Sequence, residues 1–293
     1  VVVSLLPPAL HIKIATLCLH YKKHLLTASY VSADMQKLHD QAAKHGLLFL
    51  QECGLDPGLD HMSAMAMFDD IRMRGGRVLS FKSFTGGLMM PDNEPHNPWQ
   101  YKFTWNPRNV VLAGQGTAHY LAGGSDKYIA YQQLFARTQP VHIPGYGDYE
   151  GYANRDSLLY REAYGLQDID TMIRGTLRSK GFCEAWNILV QLGCCDDSYM
   201  LENIQALTPA SYLNLFLPDG AMPVEEKILR RFTQLSSPMA VLEKLRWSGF
   251  FAHTPIGLQR ATPAQVLEHM LHKQWTLQPN DRDLVIMWHE CTY

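Results

Sequence analysis

The chain has 293 residues, 46% of them hydrophobic and 18% charged, with a formal net charge of −2. That length holds one large domain or two modest ones with ample core, and so even a charge balance gives no electrostatic footing for nucleic acid or a membrane surface. No apolar run approaches the roughly 18 residues of a membrane helix, and no charged start leading into an apolar core reads as a secretory signal.

In chain order, VVVSLL (1–6) reads as a doubly buried parallel strand, stopped by Pro7 and Pro8. A helix is predicted over 11–24, a strand over 25–29, a helix over 33–46 closed by Gly46, a strand over 47–52 and a helix over 61–76. Strand and helix alternating three times means a parallel sheet with crossover helices. From residue 77 the pattern changes. Strands are expected at 77–87, 127–135, 171–178 and 283–290, and loops at 91–98 and 144–157. Helices are expected at 180–192, 208–217, 223–235, 238–248 and 262–275. No internal repeat is visible.

The six cysteines, Cys18, Cys53, Cys183, Cys194, Cys195 and Cys291, form no CxxC pair and suit the reduced thiols of a cytosolic protein. Vicinal Cys194 and Cys195 read as two small residues at a helix end before they read as a redox pair.

The most polar corner is ECGLDPGLDHM (52–62), a turn between the third strand and the following helix. Open α/β sheets bind ligands at such carboxyl ends of strands. Asp60 reads equally well as a helix cap, and Pro57 suits a first helical turn. Ser4 and Ser29 also sit at strand ends. GQGTAH (114–119) and GYGDYEG (145–151) resemble dinucleotide fingerprints but lack the third glycine or the strand context. His269 and His272 make an HxxH without HExxH or supporting carboxylates, so no metal site is expected. No GxSxG elbow is present. Lys102, Arg155, Arg174 and Arg178 lie in aromatic- and glycine-rich settings that favour carboxylate capture. Together they suggest an anionic small molecule with several carboxylates.

LDPGLDHM (55–62), SFTGG (83–87), YKFTW (101–105), EGYANRDS (150–157) and RGTLRSKGF (174–182), in that order, resemble the saccharopine dehydrogenase (glutamate-forming), or saccharopine reductase, family. The resemblance runs the length of the chain and is weakest over 196–275. It implies an α/β fold: a partial doubly wound, Rossmann-type parallel sheet over 1–76, and an inserted α+β substrate and dimerisation domain over 77–293 with a helical subdomain at about 180–275. It implies a fragment without the N-terminal and C-terminal Rossmann parts, inactive alone.

The resemblance further implies a cytoplasmic oxidoreductase of lysine metabolism. It would interconvert saccharopine with glutamate and aminoadipate semialdehyde by hydride transfer at a C–N bond, using NADP or NAD. Asp56 and Tyr30 are the expected catalytic residues. Ser29, Tyr30, Arg155, Arg174, Thr176 and Arg178 are expected to bind substrate. Leu6, Ala28, Ser29, Leu55, Asp56, Pro57 and Trp105 are expected to face the cofactor. A homodimer is the expected assembly. The alternatives are a carboxynorspermidine- or homospermidine-type imine reductase, and a non-catalytic substrate-binding or dimerisation fragment. One departure stands out: many members carry Cys where this chain has Thr85, which cannot act as a thiol acid or base.

Overall fold

A computed structural model describes residues 1–113 and 115–293, so Gly114 of the 114–119 stretch lies outside the described residues. The chain divides into two compact units, one of Val1–Val78 with Tyr293 and one of Leu79–Thr292.

In the first unit, strands β1 (Val2–Ser4), β2 (Leu25–Thr27) and β3 (Phe49–Leu50) form a parallel sheet in that order. Helix α1 (Pro8–His20) links β1 to β2, with Pro8 at its first position, where a missing N–H costs nothing. Helices α2 (Ala33–Gln36) and α3 (His39–Lys44) link β2 to β3, and α4 (Leu59–Met73) follows β3. Cys18, Ala15, Leu25 and Met35 make the small core. One expectation is corrected here. The helix over 33–46 is two pieces: the Leu38 N–H bonds Met35 O three residues back, and the second piece starts at His39. In this chain β1 stands at one end of the three-strand order, with Ser4 buried and Val3 63% exposed.

The second unit is built on a seven-stranded mixed sheet. Its strands are β4 (Ser80–Met89), β5 (Ala118–Ala122), β6 (Ser125–Ile129), β7 (Thr138–Ile143), β8 (Gly147–Ala153), β9 (Thr171–Ser179) and β12 (Asp283–Thr292). Strand β9 is central. It runs parallel to β4 on one side, and on the other pairs antiparallel with β5 and then β8. Beyond β4 lies β12, antiparallel. A short helix α5 (Pro107–Val111) precedes β5. Helices α6 (Phe182–Leu192), α7 (Pro209–Asn214), α8 (Val224–Arg231), α9 (Pro238–Trp247) and α10 (Pro263–Trp275) follow β9, with the short pair β10 (Leu201–Glu202) and β11 (Arg260–Ala261) among them. The 3.6-residue apolar period gave these helices away, and Thr262 with Gln265 closes a reciprocal capping box at α10.

The two faces of the sheet bury different things. One packs Phe84, Leu88, Val141, Tyr149, Leu177 and Ile286 together. The other meets the helices through an aromatic cluster in which Trp275 lies 5.2 Å from Trp99 and 5.0 Å from Tyr101, centroid to centroid. Each such side chain contributes about 1.5–3 kcal/mol by leaving water.

Several strand expectations fail for physical reasons. The 127–135 strand ends at Ile129, and residues 131–136 form a 3-10 turn. There the chain turns, and consecutive Leu134 and Phe135 both reach the core that holds Trp186. The 144–157 loop contains β8, whose Gly151 is small because the Phe84 ring lies against it. Strand β7 went unseen; it pairs only with β8, and such an edge tolerates its Pro140.

Lys102 is spent structurally. Its ammonium is 2.8 Å from Asp281 Oδ2 and 3.0 Å from Glu94 Oε2, with the side chain 4% exposed. Burial alone would lower it, but these bonds outweigh burial and hold it above the ordinary 10.5. Burial likewise raises Asp281, but the Gln278 N–H and Lys102 offset that and set it below its ordinary value. The pair's stabilisation is therefore complete between the two ordinary values. It is lost as pH falls through the depressed Asp281 value or rises through the elevated Lys102 value. Lys102→Ala should cost about 2 kcal/mol at neutral pH, less than for an isolated buried pair, because Asp281 keeps its bonds from Asn93 and Gln278. All six tryptophans lie in this unit, so urea unfolding followed by their fluorescence checks it. The difference between variant and parent should shrink in acid.

Candidate functional site

In the first unit the polar groups collect beyond the ends of β2 and β3. The corner is knitted by backbone bonds: Cys53 N–H to Thr27 O, Glu52 N–H to Ser29 O, Gly54 N–H to Pro57 O and Leu59 N–H to Gly54 O. Gly58 has φ +148, and a Cβ there would stand 2.2 Å from Gly54 O, so this turn admits only glycine. The Asp56–Pro57 peptide is cis.

Within that frame the Tyr30 hydroxyl donates to Asp56 Oδ1 at 2.7 Å, on the exposed side of the corner. Asp60 points the other way. It is 1% exposed, and its Oδ1 accepts from the Gly58 N–H at 2.8 Å. Its carboxylate thus fastens the turn from inside the first turn of α4, whose N-cap is Gly58. His61 lies with Nδ1 3.6 Å from Asp60 Oδ2 and Nε2 3.4 Å from Glu52 Oε2. Leu6, Ala28 and Leu55 are exposed, Ser29 is half-buried and Pro57 is buried.

One residue here escaped sequence reasoning. His11 on α1 is 4% exposed, and it joins the ends of β1 and β2. Its Nδ1 is 3.0 Å from Ser4 Oγ; its Nε2 is 2.8 Å from Ser29 Oγ and 3.1 Å from Thr27 Oγ1. Burial lowers its pKa from the ordinary 6.5, so the ring is neutral at pH 7. The Thr27 hydroxyl also accepts from the Ser29 N–H, so His11, Thr27 and Ser29 form one hydrogen-bonded cluster. The only sequence signal was a polar residue in line with Ala15 and Cys18, on the otherwise apolar inward face of α1.

In the second unit Arg174, Thr176 and Arg178 alternate along β9 and so share one face of the sheet. Arg174 is half-buried, with its guanidinium 4.5 Å from the Tyr160 ring centre. Its backbone is tied to the 154–157 segment by the Arg174 N–H to Ser157 Oγ bond (2.9 Å) and the Asn154 N–H to Arg174 O bond (3.2 Å). Asn154 also donates through Nδ2 to Thr176 Oγ1 at 3.2 Å. Arg155, exposed, follows directly with φ +56, a region a non-glycine residue enters only when held there. So the structure brings the 154–157 segment, which carries Arg155, against Arg174 and Thr176. Thr85 joins them, because it stands opposite Thr176 in the β4–β9 register.

Arg178 is different. It is 4% exposed, its guanidinium 4.8 Å from the Tyr101 ring and 5.3 Å from the Phe182 ring, with Nη1 donating to Leu177 O. Glu150, opposite it in register, is occupied at the start of α6 by the Gly181 and Cys183 N–H groups. Trp105 is 53% exposed.

Cys194 and Cys195 are 0% and 2% exposed. Burial pushes the Cys194 thiol up to about 12 and Cys195 well above its ordinary value. That suits packing, not redox chemistry. Among the described residues no cluster could hold a metal, and no helix is long and apolar enough to cross a membrane.

Residues 54–293 match the family model described as the saccharopine dehydrogenase C-terminal domain. Over 99% of its length the chain is 34% identical to the alpha-aminoadipic semialdehyde synthase of Arabidopsis thaliana, of which it covers 29%. Over 98% it is 31% identical to the saccharopine dehydrogenase [NADP(+), L-glutamate-forming] of Schizosaccharomyces pombe, of which it covers 65%. An apo saccharopine dehydrogenase (L-Glu forming) from Saccharomyces cerevisiae superposes with a TM-score of 0.82 at 28% identity, over 99% of this chain and 66% of that one. The chain thus spans about two thirds of the fungal relatives and less than a third of the plant one. With an α/β fold on mixed sheets and its motifs in the family order, this chain belongs to the saccharopine dehydrogenase C-terminal domain family.

Proposed function

We propose that the protein containing this chain is an NADP-linked saccharopine dehydrogenase of the glutamate-forming type. It would join glutamate and aminoadipate semialdehyde through an imine and reduce it to saccharopine, or run the reverse. The observation that carries this reading is the Tyr30–Asp56 hydrogen bond at the carboxyl ends of two parallel strands, in a chain of this family.

In this reading residues 1–76 belong to the Rossmann-type nucleotide domain. Residues 77–293 bind substrate, with helices at about 180–275 packed on the mixed sheet. The residues present fit the nicotinamide end of a dinucleotide: exposed Leu6 and Leu55 offer apolar faces, and the oriented Ser29 hydroxyl offers a polar contact. Ala28, Pro57 and Trp105 extend the same role. No glycine-rich phosphate turn follows β1 in SLLPPA (4–9), so the phosphates are not held there. When bound, the nicotinamide supplies the hydride. Asp56, with Tyr30 donating to it, holds or exchanges the proton of the substrate's secondary amine. Ser29 and Tyr30 orient that amine. Arg155, Arg174 and Thr176 take up the substrate carboxylates, and Arg178, buried further along the same face of β9, adds positive charge. We also assign the protein to the cytoplasm, as its cysteines, all free, suit a reducing compartment. A homodimer would use the outer edge of β12, whose ladder partner is β4 alone.

The test is nicotinamide absorbance with the full-length protein, saccharopine, and NADP or NAD. Turnover that requires saccharopine and prefers NADP is the expected result. Folded protein that turns over with neither cofactor overturns the reading and points to another imine or to a binding role.

A further inference from the structure

His119 lies on β5 with its ring stacked on the Tyr128 ring of β6, centroids 4.4 Å apart and planes 2° from parallel. Each ring nitrogen meets a carboxylate. Nε2 is 2.7 Å from Asp126 Oδ1 on β6, and Nδ1 is 3.1 Å from Asp156 Oδ1 on the segment after β8. A neutral imidazole carries one N–H and can donate to only one of them; serving both requires the imidazolium. Asp126, Asp156 and the Tyr128 phenol are the titratable groups that face it.

The second carboxylate matters most. Asp156 Oδ1 also accepts from the Leu158 N–H at 2.9 Å and so caps the 3-10 turn Ser157–Tyr160. That turn carries Tyr160 to the Arg174 guanidinium and Ser157 to the Arg174 N–H. The backbone N–H of His119 itself donates to Arg155 O at 2.8 Å, at the residue held with φ +56. One side chain and its own backbone therefore tie down both arginines of the group.

We propose that His119 is a positioning residue for the carboxylate-binding arginines: as an imidazolium it braces Asp156, and through Asp156 it fixes the backbone of Arg155 and the turn that seats Arg174. This rests on the reading of Arg155 and Arg174 as substrate clamps. The hydrogen bond to Asp126, helped by Asp156 and opposed by partial burial, raises His119 above the ordinary 6.5. A raised value gives the sign: the brace is complete below 6.5 and is lost as pH rises through the elevated value.

The experiment compares the full-length parent with His119→Asn and His119→Arg from pH 6 to 9. In the parent, KM for saccharopine should rise about threefold as the brace is lost, a loss proper to a partly exposed ion pair. In His119→Asn, KM should be high and flat with pH. In His119→Arg, which keeps the charge, it should be low and flat. A pH-dependent rise that persists unchanged in His119→Arg, or a parent-like KM in His119→Asn at pH 6, overturns the proposal. A purely packing role for the ring on Tyr128 would give the two variants equal defects. A second readout needs no turnover: the Arg155 amide resonance should titrate together with the His119 ring, and in His119→Asn it should stay still. An Arg155 amide that ignores the His119 titration also overturns it. Lack of saccharopine turnover in the parent would instead sink the functional reading and leave the resonance test to decide this one.

Discussion

Asp56→Asn is expected to lower kcat for saccharopine oxidation by about a hundredfold or more, the size of a lost acid–base group. The substitution is chosen for what it leaves alone. Asparagine has the same shape, and its Oδ1 can still accept from the Tyr30 hydroxyl, now 2.7 Å from the carboxylate. The corner does not depend on this side chain: it is closed by bonds among Gly54, Pro57 and Leu59, and by Asp60 on the Gly58 N–H. Folding should therefore be unchanged by circular dichroism. What disappears is a group able to hold a proton at the secondary amine. Tyr30→Phe should cost less, about tenfold, because it removes only the donor that orients Asp56. If kcat for Asp56→Asn stayed within threefold of the parent, Asp56 would be a turn residue and the proton role would pass to another group.

Much of this corner was legible from residues 52–62, because turns announce themselves locally. Glycine, proline and aspartate at short spacing between an apolar run and a helical pattern leave few other readings. The helices after β9 were legible for a similar reason, since their period is local. What failed was whatever is decided at a distance. His11 reads as a stray polar residue until Ser4, Thr27 and Ser29 close on it from up to 18 positions away. Lys102 reads as a carboxylate trap until Asp281, 179 positions on, takes it. Strand β8 reads as a loop because its reason for glycine is an aromatic ring on another strand. The arginines show both cases: alternation places Arg174, Thr176 and Arg178 on one face, but only tertiary packing separates the half-buried Arg174 from the buried Arg178.

Gly175 joins the fold to the chemistry, and Gly175→Ala should be the most damaging small change in the sheet. It sits between Arg174 and Thr176, and its φ lies outside the left-handed region, so the demand is for space. A Cβ there would stand 2.1 Å from Tyr152 O and 2.7 Å from Phe84 Cε1. Neither can retreat: the carbonyl belongs to the β8–β9 ladder, and Phe84 is wholly buried. The expected loss is about 3 kcal/mol or more, at the upper end for overpacking, read from urea unfolding by tryptophan fluorescence. Gly116→Ala is the control. Its Cβ would meet nothing within 4 Å at φ −95°, and it should stay within about 0.5 kcal/mol of the parent. Adding Phe84→Leu should not rescue Gly175→Ala, because it relieves the ring and leaves the carbonyl. Rescue would show that β8 can yield. No rescue, together with a raised KM for saccharopine in the folded enzyme, would mean that the β8–β9 spacing is what keeps the Asn154 amide on Thr176 and Ser157 on Arg174. The substrate face would then be set by the closest backbone approach beneath it, and not by the arginines alone.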